Sequence, residues 1–304
     1  MLEIKRLRLL WEFHARGTIS SVALALNFSP SAVSQQLGIL EREVGVQLLR
    51  RVGRSLELTP AGEVLVAETE SLLASLEQAE AAMQRVRDEV IGTVRVATFQ
   101  TAMLTVVPGA LRRIRAAHPE LRVEVMQYEP GAALQETWAR GFDLVIAEQY
   151  PDHSTAHFTG LDRVDLTSDP IRLGIPPLGA AGGRYDHVAG IADLTTAAWV
   201  MEPQGAATRH WAEQACRQLG FEPDVRFETA DLQAHQRLIE AGEAVALLPG
   251  LARVGADTQM RMLDLPGSPT RTIFTAARKS RAQSPALQAV RTALAAEANY
   301  LVFE

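Results

Sequence analysis

A single cysteine, Cys216, stands in the 304 residues, so no internal disulfide can form. That fits a reducing cytoplasm, where such a residue serves as a small apolar core side chain. Lysine is almost missing as well. Lys5 and Lys279 are the lysines, and neither follows a glycine, which excludes a phosphate-cradling G-x-x-x-x-G-K-[ST] loop. There is no G-x-S-x-G nucleophile elbow and no H-E-x-x-H zinc motif. The start, Met1-Leu2-Glu3-Ile4-Lys5-Arg6, lacks the apolar core of a secretory signal. No uncharged apolar run nears the roughly 20 residues that span a bilayer, so no membrane partner is expected. His153 and His157 stand four apart beside Asp152, a spacing that serves a metal on a helix. Pro151, Ser154 and Gly160 make this segment a solvated loop instead, and the expectation is no metal, no cofactor and no catalytic residue.

What is present is charge divided unequally. The whole chain is -6, with 30 Lys/Arg and 36 Asp/Glu. Residues 1–62 hold eight Lys/Arg and five Asp/Glu, which leaves 22 and 31 for the remainder. A basic end on an acidic body suits local contact with phosphate and little nonspecific sticking elsewhere. A length of 304 residues is a prior for two or more domains.

Residues 18–62 organise the rest. Two short helical patterns meet at Asn27-Phe28-Ser29-Pro30. In the second, Val33, Leu37, Leu40 and Val44 form one buried stripe at helical spacing. Ser31, Ser34, Gln35, Gly38 and Arg42 fall on the opposite face, with one charge among them. Ser29 suits the N-cap and Pro30 the first helical position. A short helix, a tight turn and a second helix with an uncharged hydrogen-bonding face predict a helix-turn-helix whose second helix reads the DNA major groove. Residues 48–58 then predict two short strands around a basic turn, a wing carrying Arg50, Arg51 and Arg54 toward phosphate.

Ser29-Pro30-Ser31-Ala32-Val33-Ser34-Gln35-Gln36-Leu37, then Leu40-Glu41, Gly45-Val46, Leu48 and Leu58-Thr59-Pro60-Ala61-Gly62 stand in one order at tight spacing. On these residues the chain resembles the LysR-type transcriptional regulators, closely to about Gly62 and in layout beyond. Many members carry Gln-Pro where this chain has Pro30-Ser31, and a basic residue at the positions of Gln35 and Gly38, so the operator sequence is not implied. The resemblance implies a bacterial regulator and a multi-domain α+β fold: an N-terminal winged helix-turn-helix, a long linker helix and a C-terminal two-lobed α/β effector domain similar to periplasmic solute-binding proteins.

The residues agree with that layout: a winged helix-turn-helix over 1–59, a linker and dimerisation helix over 60–91, and an effector-binding domain over 92–304. In the linker Leu65, Thr69, Leu72, Leu76, Ala79, Met83, Val86 and Val90 follow alternating steps of four and three. Such a heptad seam predicts a partner helix and a homo-oligomer. From Thr93 the pattern changes to strand-helix alternation, a βαβαβ order that predicts parallel strands with right-handed crossovers. One long helix is expected over 103–117. Extended segments near 165–175 and 259–265 cross between lobes, giving lobe I as 92–164 and 267–304 and lobe II as 165–266.

Ligands collect beyond the carboxyl ends of strands and near helix N-termini. That rule selects Thr98, Gln100, Thr101 and Glu148 on lobe I, and Gln204 and Thr229 on lobe II, as lining one cleft for a small-molecule effector. Helix N-termini would welcome an acid, whereas Glu148 and Asp231 would suit an amino or guanidino group; both remain open at this level. In similar family members the first of these positions often hydrogen-bonds a carboxylate-bearing effector. On the DNA side Ser29, Ser31, Ser34, Gln35 and Gln36 are expected at bases or nearby phosphates, with Arg51 and Arg54 on the backbone or in the minor groove. The expected protein is a cytoplasmic homodimer or homotetramer, not an enzyme, that binds double-stranded promoter DNA and a small-molecule effector. The alternative is a small-molecule binding protein or enzyme with an accessory helix-turn-helix.

Overall fold

The structure, a computed structural model, describes residues 2–87, 90–151, 158–254 and 258–301; Asp152, His153 and His157 lie outside them. The first three helices are α1 (Ile4–Arg16), α2 (Ile19–Leu26) and α3 (Pro30–Val44). Thr18 and Ser29 cap α2 and α3, their hydroxyls accepting from Ser21 N and Ala32 N. Asn27 closes α2 at φ 55, the left-handed region that asparagine tolerates, and so makes the tight turn. Val33, Leu37 and Leu40 are buried with Leu10, Trp11 and Val22 in one core. The wing follows as β1 (Leu49–Val52) and β2 (Ser55–Leu58), an antiparallel pair. The Glu41 carboxylate accepts from Leu48 N at 2.8 Å and Leu49 N at 3.0 Å, which ties the wing to the reader helix.

The linker helix α4 spans Pro60–Arg87. One face is covered: Val66 and Leu73 lie in the reader core, and Glu77 pairs with Arg278 at 3.0 Å and Arg140 at 3.3 Å. The other face is bare, with Leu72, Leu76, Met83 and Val86 exposed. Three residues assigned to the seam from sequence belong elsewhere. Thr69 is fully buried, its hydroxyl donating to the Leu65 carbonyl. Leu65 packs on the reader core, because α4 begins inside that domain. Val90 lies beyond the end of α4 and packs on the lobe I core, just before Gly92 turns the chain at φ 104.

Lobe I is built from β3 (Gly92–Thr98), α5 (Gln100–Leu104), α6 (Val106–Ala117), β4 (Leu121–Gln127), α7 (Pro130–Trp138) and β5 (Leu144–Gln149). The expected single helix over 103–117 is two helices, so Gln100 and Thr101 open α5 rather than preceding a helix in a loop. β3 lies between β4 and β5, parallel to both. The long strand β6 (Leu161–Ile175) then runs between the lobes.

Lobe II holds β7 (Ala198–Met201), α8 (Ala207–Gln218), β8 (Asp224–Glu228), α9 (Leu232–Glu240), β9 (Ala246–Pro249) and β10 (Arg261–Asp264); β11 (Thr270–Arg278) and α10 (Pro285–Ala298) return to lobe I. Along β6, Leu161 to Pro170 pair with β11, while Ile171 to Ile175 pair with β9 and β10. One continuous curled sheet therefore carries both lobes, and the crossing falls at Pro170-Ile171. Cys216 is fully buried in the lobe II core, and burial pushes its thiol up to about 12, which keeps it protonated and inert.

Gly62 sits in the first turn of α4 against the wing, where a Cβ would lie 2.3 Å from the Leu48 carbonyl oxygen. That oxygen also accepts from Thr59 N at 2.8 Å, so it cannot yield. Gly62→Ala is expected to cost about 1–3 kcal/mol of stability; an unchanged midpoint in thermal unfolding would contradict the packing described.

Candidate DNA interface and effector cleft

The outer face of α3 presents Ser31, Ser34, Gln35 and Arg42 as exposed side chains, with Gln36 half-buried beside them. Ser29 is partly committed, since its hydroxyl accepts from Ala32 N and meets the Ser31 hydroxyl at 3.0 Å. A groove of about 470 Å³ runs between α3 and the wing, lined by Ser34, Gly38, Arg51, Arg54 and Ser55 among others. Arg51 and Arg54 are exposed and make no ion pair among the described residues, whereas Arg50 faces Glu57 at 3.7 Å. Arg42 also has no ion pair among the described residues; its Nη1 is the atom a Cβ at Gly38 would meet, at 3.8 Å. The basic groups at this groove are thus free for an outside anion.

The reader domain leans on lobe I through the end of α7. Trp138 packs on Trp11 with ring centroids 5.2 Å apart, and Arg140 lies over the Trp11 ring at 4.4 Å. Arg16 pairs with Glu136 at 2.7 Å. None of these contacts was assigned from sequence, because each joins residues more than a hundred positions apart.

Between the lobes the governing side chain is Arg271 on β11, 1% exposed. Its Nε donates to Asp169 Oδ2 at 2.8 Å, its Nη1 donates to Glu148, and its Nη2 donates to Thr101 Oγ1 at 2.8 Å. Asp169 Oδ1 in turn accepts from Leu251 N at 3.0 Å, in the segment that follows β9 of lobe II and whose Leu251 side chain packs in the lobe I core. Burial pushes the Glu148 and Asp169 carboxyls upward, against the pull of Arg271. This network was missed from sequence. The one signal was a charged residue, Arg271, entering a strand whose following residues Ile273 and Phe274 are core.

The expected effector residues divide. Thr101 and Glu148 are brought together, but by Arg271, so both are already engaged. Thr98 is fully buried and turns its hydroxyl to the Phe99 carbonyl, which takes it away from the cleft surface. Gln204 is exposed, and its side chain makes no hydrogen bond among the described residues. Gln100 does bridge the lobes: its Nε2 donates to Asp231 Oδ1 at 2.9 Å and its Oε1 accepts from Leu232 N at 3.0 Å, at the start of α9. Thr229 sits beside that contact, its hydroxyl accepting from Asp231 N at 3.1 Å.

A winged helix-turn-helix with an unpaired basic groove, joined by a long helix to two hinged α/β lobes, defines a DNA-binding transcriptional regulator with an effector-binding domain. Comparison with known proteins places it within that class. Residues 87–299 match the LysR substrate binding domain, and residues 4–63 match the bacterial regulatory helix-turn-helix protein of the lysR family. The chain belongs to the LysR family. It is 27% identical to the transcriptional dual regulator GltC of Bacillus subtilis over 252 residues, covering 82% of this chain and 81% of that one. It is 25% identical to the malonate utilization transcriptional regulator of Klebsiella pneumoniae over 266 residues, covering 87% and 84%. Its fold is shared by full-length OxyR of Pseudomonas aeruginosa, at a TM-score of 0.67 and 17% identity over 97% of this chain and 95% of that one. CbnR in complex with its target DNA shares it at a TM-score of 0.53 and 21% identity, over 98% and 100%.

Removing one partner from a buried ion network costs about 3–5 kcal/mol. Arg271→Met is therefore expected to lower stability by that order at neutral pH. Stripped of Arg271, the two carboxyls rise further, so the folded variant holds protons that the unfolded chain has shed. Its deficit should shrink as pH falls toward 5. Equal stability of variant and parent across pH 5–8 in urea unfolding would contradict the assignment.

Proposed function

We propose that the chain is a cytoplasmic, sequence-specific promoter binder in which α3 enters the major groove and the wing grips the backbone. Ser31, Ser34, Gln35 and Gln36 meet bases or adjacent phosphates, Ser29 chiefly caps the helix, and Arg51 and Arg54 neutralise phosphate. The observation that carries this reading is the groove between α3 and the wing, where Arg51 and Arg54 are exposed without any ion pair among the described residues. Two copies join along the bare face of α4 through Leu72, Leu76, Ala79, Met83 and Val86. One reader helix touches few base pairs, and a pair presents two half-sites to one operator. A dimer, or a tetramer made of dimers, satisfies this.

An effector held between the lobes biases their closure. Helix α7 is placed to transmit that bias. Its N-terminal end follows Glu129, whose charge acts on Glu148 and Glu202 in the cleft, and its C-terminal residue Trp138 packs on Trp11 of the reader domain. A rigid element touching both sites is the physical requirement for coupling them. A binding protein or enzyme with an accessory helix-turn-helix gains no support from any feature of the cleft.

Arg54→Ala should weaken binding to the promoter fragment and to random DNA by similar factors. It should also reduce the slope of log affinity against log salt by about one. A slope equal to that of the parent protein, measured by fluorescence anisotropy, would contradict a phosphate contact at Arg54.

A further inference from the structure

The cleft decides between an acidic and a basic effector, granted the reading above that the effector binds between the lobes. The buried cation and the capped helix start that would receive an acid there are already taken, and the uncapped start of α8 has a carboxylate beside it. Arg271 is buried and spends its guanidinium on Asp169, Glu148 and Thr101. The N-terminus of α9 is filled: Leu232 N donates to Gln100 Oε1 and Gln233 N donates to Asp231 Oδ1. Helix α8 begins beside the Glu202 carboxylate, which accepts from the Thr208 hydroxyl. Arg209 is committed to Glu213 at 2.8 Å, to Glu228 at 2.5 Å and to the Glu202 carbonyl. An incoming carboxylate would meet Glu129, Glu148, Glu202 and Asp231 with no free cation among the described residues at that position.

The acceptors, by contrast, are open. A cavity of about 20 Å³ lies at the carboxyl ends of β7 and β9, lined by Glu202, Thr208, Arg209, Leu232, His235 and Pro249 among others; the Arg209 charge is balanced by Glu213 and Glu228. That volume holds one water-sized group. Thr208 occupies Glu202 Oε2, and Oε1 has no partner among the described residues. His235, 2% exposed, meets the Thr229 carbonyl through Nε2 at 2.8 Å. A carbonyl only accepts, so Nε2 carries the proton and Nδ1 is left as an acceptor, buried and without a partner. A primary ammonium is water-sized, carries three donors and accepts nothing.

We propose that the effector is a primary amine and that its ammonium group seats in this lobe II cavity, between the Glu202 carboxylate and the His235 ring.

The electrostatics of the empty site agree with that geometry. Burial pushes Glu202 up to about 7; the Thr208 hydroxyl pulls it down, Glu148 and Glu129 add to the rise, and Arg271 opposes it. Tyr150, the remaining titratable neighbour, stays neutral because burial raises it well above its ordinary value. Burial lowers His235, so the ring remains a neutral acceptor, and Asp231 stays charged because Gln100 donates to it. An ammonium must therefore displace a proton from Glu202 near neutrality. Affinity should rise roughly tenfold from pH 6 to pH 8, following the deprotonated fraction.

The test is isothermal titration of the full-length protein with 1,4-diaminobutane, tetramethylammonium and succinate as probes. The expected result is binding of the diamine, about tenfold tighter at pH 8 than at pH 6, and no binding of tetramethylammonium, which is too bulky and has no N–H. Glu202→Gln should weaken the diamine at least tenfold and flatten its pH profile. Should that variant fold poorly, the pH profile of the parent protein and the exclusion of tetramethylammonium decide the matter. No heat from the diamine at millimolar concentration, or a diamine affinity indifferent to pH and to Glu202→Gln, would overturn the proposal. Succinate binding that responds to Gln100→Ala and not to Glu202→Gln would also overturn it, while leaving an effector between the lobes. Diamine binding indifferent to both variants would count against the cleft itself.

Discussion

Leu76 and Glu77 are neighbours on α4, about a quarter-turn apart, one open to solvent and the other held by lobe I, and the organisation of the molecule follows from that difference. Glu77 is held by Arg278, Arg140 and the Ser280 hydroxyl, so the linker is fastened to lobe I along one side. Leu76 is 46% exposed, with Leu72 and Met83 beside it at 51% and 58%. A lone amphipathic helix lying on its own domain would bury its apolar stripe and expose its charge. Here one apolar face, with Val66 and Leu73, is buried and Glu77 is held beside it, yet a second apolar stripe stays bare. Burying a large aliphatic side chain is worth about 1.5–3 kcal/mol, so several of them along one helix constitute a strong drive toward a second copy.

A second constraint acts at the crossing of the lobes. Asp169 and Arg271 face each other across β6 and β11 in register, next to the point where β6 changes partners. Arg271 reaches Thr101 and Glu148 on lobe I, and Asp169 reaches the Leu251 backbone, where the chain leaving β9 of lobe II packs into the lobe I core. Such a buried network is a poor source of stability compared with apolar packing, but it penalises any arrangement that leaves one charge alone. The lobes can pivot about the crossing only in ways that keep these groups together. Above it, Gln100 closes the mouth against the start of α9 with two hydrogen bonds, which is little to displace. A stiff floor and a weak latch are what a ligand-operated hinge requires.

The reader domain was legible in the sequence because its determinants are local. Ser29, Pro30, Val33, Leu37 and Leu40 cap, start and bury one helix within a dozen residues, and the wing follows at once. Of the α4 seam, Leu72, Leu76, Met83 and Val86 lie exposed, whereas Leu65, Thr69 and Val90 are packed within the chain. A step of four and three describes both the face that meets a partner and the face that meets the reader core, so Leu65 fits either; Val90 keeps the rhythm beyond the helix itself. The cleft was legible only as a location. Gln100 and Thr229 lie there as the strand-end rule places them. What the cleft contains depends on Arg271, 102 residues from Asp169 and 170 from Thr101, and no periodicity within a window reports such a meeting. Glu148 was legible as a carboxylate at a strand end, but its commitment to Arg271 was not.

All of this converges on two reader helices delivered together by paired stalks. Hydroxyl-radical footprinting of the full-length protein on the DNA upstream of its own gene tests that most directly. The account predicts two protected stretches on one face of the duplex, separated by a whole number of helical turns of roughly 10 base pairs. Protection of a single short stretch, or uniform protection no stronger than on random DNA, would contradict it.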